Sequence, residues 1–140
     1  MIRKLLVAYD GSEGANRALR TGLELAKAMG VDLHAVTIEE ELPRYAATLD
    51  EIDAVKQQAD SFYGQICREA EAIARGEGVT LHTNVIAGHE VASLVEYTKA
   101  HGFDVLLVGY HGRSAVTERL FGSTTASLVL HAPCSVLVVK

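Results

Sequence analysis

Short apolar runs alternate along this chain with longer stretches whose apolar residues recur every three or four positions. Leu5 to Ala8 is a continuous apolar run closed by Asp10-Gly11, the pattern of a buried strand entering a turn. Ser12 is placed to cap a helix with Ala15, Leu19, Gly22, Ala26 and Met29 on one face and Gly30 at a left-handed stop. A second β-rich run spans Val31 to Thr37. Residues 38 to 47 are irregular and carry Glu39-Glu40-Glu41 and Pro43. Thr48-Leu49-Asp50-Glu51 has capping-box spacing. Leu49, Ile52, Val55, Ala59, Phe62, Ile66, Ala70 and Ile73 then predict one long amphipathic helix, weakened by Gly64 and stopped by Gly76 and Gly78. Val79 to Ile86 alternates as a half-exposed strand near a sheet edge does. A shorter helix follows, Glu90 to His101, with Val91, Leu94, Val95 and Thr98 inward, and then the apolar strand Asp104 to Gly109. Beyond a loop, a helix from Ser123 to about His131 and a strand from Ser135 to Val139 follow, separated by Pro133.

The order βαβαβαβαβ, joined by right-handed crossovers, predicts an α/β fold: a doubly wound, five-stranded parallel sheet with helices on both faces, Rossmann-like in kind. The first and fourth strands, the most continuously apolar, are expected at its centre. A length of 140 residues suits a single domain, 1–140, and 49% hydrophobic with 22% charged residues is a globular composition. A net charge of −5 argues against nucleic acid or an anionic membrane as a general partner. No stretch approaches the ~20 apolar residues of a membrane span, and the opening lacks the apolar region of a signal peptide. A soluble, cytoplasmic protein is expected. Cys67 and Cys134 stand far apart, so neither a disulfide framework nor a thiolate zinc site is indicated.

Ligands of open doubly wound sheets lie beyond the carboxyl ends of the strands, where the winding reverses. With the first and fourth strands central, two loops meet there: Asp10-Gly11-Ser12, and the segment from Gly109 to Ser123. In the second, Gly109-Tyr110-His111-Gly112 is followed by nine residues and then Gly122-Ser123-Thr124-Thr125. Glycines permit close backbone approach, a helix N-terminus offers unpaired N–H groups, and Ser123, Thr124 and Thr125 add hydroxyls. These are the requirements for cradling a polyphosphate. Arg113 or Arg119 supplies a cation.

The spacing G-x2-G-x9-G-[ST], met by Gly109, Gly112, Gly122 and Ser123, resembles the ATP-binding signature of the universal stress protein family. LLVAYDGSEGANRAL is similar to that family's first strand and helix. DVLLVGYHGRS and LFGSTTASLVLHAPCSVLVV are similar to its fourth strand, phosphate loop, closing helix and last strand. The resemblance implies a strand order of three-two-one-four-five, ATP as ligand with Mg²⁺ possible, and frequent dimers. It implies that Asp10 contacts the nucleoside, that Val36 lies against adenine and offers backbone groups, and that the backbone of Ala8 and Tyr9 lines the same slot. Gly109, Gly112, Arg113, Ser114, Gly122, Ser123 and Thr124 would surround the phosphates. One departure is Cys134-Ser135, with proline at 133, where the family commonly has Cys-Pro.

Plainer roles stand beside these. Asp10 is also a turn former and Val36 a core valine. His111 is either an exposed loop histidine or a group titrating near phosphate. His89-Glu90-Val91-Ala92-Ser93 lacks the second histidine of a metalloprotease helix, and the six histidines are otherwise scattered, so no metal held by the protein itself is expected. Walker-A spacing is absent. The expected function is a nucleotide-dependent sensor or regulator in stress adaptation, with an unidentified protein partner and a homodimer formed through the edge strand Ser135 to Val139. The rivals are a slow ATPase or phosphotransferase assisted by Asp10 or His111, an interaction module independent of nucleotide, and a site preferring AMP or cyclic AMP.

Overall fold

The computed structural model describes residues 1–40, 48–110 and 122–140. Each apolar run is a strand and each three-four repeat a helix: β1 (Lys4–Ala8), α1 (Glu13–Met29), β2 (Asp32–Glu39), α2 (Leu49–Gly76), β3 (Leu81–Ala87), α3 (Glu90–Ala100), β4 (Val105–Gly109), α4 (Ser123–His131) and β5 (Ser135–Val139). All pairings are parallel, and the order is β3-β2-β1-β4-β5, the doubly wound sheet that the sequence led us to expect. β1 is the middle strand with β4 beside it.

Strand alternation divides the core in two. Leu5, Val7, Leu33, Ala35, Val105 and Leu107 face α1 and the second half of α2, through Leu19, Leu23, Ile66 and Ala70. Leu6, Val36, Leu106 and Val108 face α3 and α4, through Leu94 and Leu128. Burying each of the leucine, isoleucine and valine side chains contributes about 1.5–3 kcal/mol before chain entropy is counted. The helix ends follow their signals. The Ser12 hydroxyl accepts from the Ala15 N–H, Thr48 and Glu51 form the reciprocal capping box, and Gly30 takes the left-handed conformation, φ 65°.

Two apolar stripes run further than their cover. Met29, expected on the buried face of α1, is exposed at the helix end. The long α2 is buried only at Ile66, Ala70 and Ala74, whereas Leu49, Ile52, Val55 and Phe62 are exposed. The reason is length. At 1.5 Å per residue the 28 residues of α2 span about 42 Å, while the eight of β2 span roughly 26 Å. The first half of the helix has no sheet beneath it. Among the described residues, no helix is long and apolar enough to cross a membrane.

Candidate functional site

At the carboxyl ends of the strands, where the winding reverses between β1 and β4, a crevice of about 360 Å³ opens among the described residues. That volume is in the ~300–1,000 Å³ range of small-molecule sites. Its floor is the ends of β1, β2 and β4; its walls are the starts of α3 and α4 and the Asp10 turn.

The α4 wall presents the amino end of a helix to the crevice. Gly122 caps the helix without a side-chain bond, and the first intrahelical partner belongs to Ala126, whose N–H donates to the Gly122 carbonyl at 3.0 Å. The N–H groups of Ser123, Thr124 and Thr125 therefore have no partner within the helix and carry its positive dipole end. The Gly122 N–H donates to the Tyr110 carbonyl at 3.4 Å, and the Tyr110 N–H to the Val139 carbonyl at 2.8 Å, so both sides of the connecting loop are tied to the sheet.

The expected residues separate into groups. Ala8, Tyr9, Asp10, Val36, Gly109, Gly122, Ser123, Thr124 and Thr125 all line this one crevice. His111, Gly112, Arg113 and Ser114 lie outside the described residues, as does Pro43. The structure also shows what several of these residues already do. The Thr125 hydroxyl, buried, donates to the Gly109 carbonyl at 2.8 Å and so fastens α4 to β4. Gly109 is required by packing, because a Cβ there would stand 2.7 Å from the Gly14 carbonyl carbon of α1. Asp10 Oδ1 accepts from the Ser12 N–H at 2.9 Å, closing the turn and fixing the carboxylate at the crevice. The Tyr9 ring is buried and its hydroxyl donates to Asn16, so its main chain is what borders the crevice.

Val36 is buried, and its carbonyl accepts from the Tyr9 N–H at 3.0 Å. The open main chain belongs to Ile38. Val36 bonds toward β1, while the Glu39 carbonyl accepts from Gly88 on the β3 side, so alternation turns Ile38 toward β1 again. The pairing of β1 with β2 ends at Ala8 and Val36, which leaves the N–H and C=O of Ile38 facing the crevice with no strand opposite. Nothing in the sequence marks Ile38, because the overhang is a matter of register.

Acidic groups gather at the same mouth. Glu90, at the start of α3, has its carboxyl raised above the ordinary value by burial and then by the charges of Asp10 and Glu40; the Thr124 hydroxyl and His89 act the other way. The carboxylates of Asp10, Glu40 and Glu90 thus all border the crevice.

The chain matches the universal stress protein family over residues 1–140. Among solved structures, the universal stress protein UspA from Lactobacillus plantarum superposes with a TM-score of 0.84 at 22% identity, covering 99% of this chain and 97% of that one. A universal stress protein in complex with cAMP is 28% identical, with a TM-score of 0.71 over 99% and 96% of the two chains. A family protein from Arabidopsis thaliana with AMP bound is 19% identical, with a TM-score of 0.69 over 99% and 91%.

Proposed function

Because the chain belongs to the universal stress protein family, we propose that its crevice binds an adenine nucleotide, with ATP as ligand, and acts as a sensor rather than an enzyme. The observation that carries this reading is the pairing of two main-chain surfaces across one crevice: the open N–H groups of α4 and the open N–H and C=O of Ile38. An N–H and a C=O on one residue match the acceptor and donor on the edge of adenine. The helix terminus with its hydroxyls matches phosphate. Asp10, held by its turn, is placed for the ribose, and the carboxylates of Glu40 and Glu90 would hold a Mg²⁺ that offsets phosphate charge. The cAMP and AMP complexes of related proteins share the adenosine that this arrangement would recognise. ATP differs from those ligands in the number of phosphates available to α4 and the loop that precedes it.

Calorimetric titration of the nucleotide-stripped protein tests the reading. Mg-ATP binds with one-to-one stoichiometry, Mg-ITP at least about tenfold more weakly, and Gly122→Val loses the ATP site. A folded wild type that binds none of ATP, AMP and cAMP would refute it, and equal affinity for ITP would remove Ile38 from it. Turnover measured in wild type and Asp10→Ala decides between sensor and slow ATPase.

A homodimer through β5 fits the same frame. β5 is an edge strand, and Leu137 on it and Val129 and Leu130 on α4 are exposed. Light scattering shows a dimer at micromolar concentration if this is right, and a strict monomer if it is not.

A further inference from the structure

The amino end of β2 carries a cluster that the crevice does not use. Asp32 and His34, two residues apart, project from one face of the strand, and β3 places His82 in register beside His34. The two imidazoles stack with centroids 4.7 Å apart and planes inclined by 28°. One ligand atom from each of Asp32, His34 and His82 lies within 4.8 Å of the others. Phe103, buried, meets His34 edge-on at 5.1 Å and closes the inner side, whereas Asp32 and His82 are exposed and leave the outer side open to solvent. None of the three side chains is engaged in a hydrogen bond or ion pair among the described residues.

The neighbouring charges leave the cluster available. Lys4 pairs with Asp32 in the strand register, yet its ammonium donates to the His101 carbonyl at 2.6 Å and lies 4.6 Å from the centre of the Phe103 ring.

We propose that Asp32, His34 and His82 form a binding site for a divalent transition-metal ion of the zinc and nickel kind, with water completing its coordination. Two imidazoles and one carboxylate are a nitrogen-rich set suited to such ions and poor for Mg²⁺ or Ca²⁺, which take oxygen ligands. Donors bound to one ion at about 2.1 Å stand no more than about 4.2 Å apart, so small side-chain rotations close the observed separations. The bound ion would join β2 to the edge strand β3.

The test uses the untagged, chelator-treated full chain, titrated with Zn²⁺ and with Ni²⁺ by calorimetry, and imidazole NMR spectra followed during the Ni²⁺ titration. The expected result is one equivalent of Zn²⁺, bound at least about tenfold more weakly in His82→Gln and in His34→Gln and unchanged in His131→Gln. Ni²⁺ broadens the His34 and His82 resonances before those of any other histidine. His82 is exposed on an edge strand, so that variant keeps its core, and circular dichroism checks its fold. No saturable binding at submillimolar Zn²⁺, equal affinity in His82→Gln, or broadening that begins at other histidines overturns the proposal.

Discussion

At the carboxyl end of the sheet the crevice is bounded largely by main chain: the N–H groups that open α4, the overhanging Ile38, and Gly109 lying against α1. At the amino end of the same β2, three side chains converge while the main chain is occupied in pairing with β1 and β3. The first arrangement owes its shape to strand lengths and helix starts, which many sequences can supply. The second depends on particular residues brought together by register. A site made of backbone is therefore hard to abolish by trimming side chains and easy to abolish by adding them, and a site made of side chains behaves the other way.

The largest effect that sharpens this contrast is expected at Gly109. Gly109→Ala forces a methyl against the Gly14 backbone, and we expect a loss of about 3 kcal/mol and a fall in Tm of roughly 10 °C by calorimetry. A variant with normal Tm and lost nucleotide binding would instead make Gly109 a ligand contact. Next comes Thr125→Val, which deletes the bond to the Gly109 carbonyl inside the core and costs about 1–3 kcal/mol in urea unfolding. Glu90→Gln is smaller and of opposite sign. The folded state holds the Glu90 proton above the unfolded value, so wild-type stability falls as pH rises through that window. The variant should be the more stable at pH 7, with the advantage gone once pH lies below both values. Its affinity for ATP titrated without Mg²⁺ should rise about threefold, because one charge facing the phosphates is removed. Smallest of all, His82→Gln changes the stability of metal-free protein by no more than about 0.5 kcal/mol, since the side chain is exposed and makes no hydrogen bond.

The same division decides what could be read from the sequence. Helix limits and caps were legible at Ser12, Gly30 and Thr48 because those residues act on their own neighbours, whereas the order of the strands in the sheet came from the family resemblance. The glycine and hydroxyl pattern at Gly109 and Gly122–Thr125 falls on the crevice, where Gly109 and Thr125 are needed for packing and fastening. Ile38 was not legible, since an open N–H has no residue type. His34 and His82 were visible as histidines but scattered until β2 and β3 paired. Periodicity showed which face of α2 is apolar; it carries no information on whether anything covers that face.

That uncovered stretch sets a gradient along a single helix. From Leu49 to Phe62 the described side chains of α2 stay out of the buried core and a capping box closes the first turn, while Ile66, Ala70 and Ala74 anchor the remainder in the core. Local opening therefore costs little at one end of the rod and approaches the cost of global unfolding at the other. Deuterium should enter the first turns within the dead time of a manual exchange experiment and reach the last turns orders of magnitude later, so that one continuous element behaves as two bodies with different lifetimes.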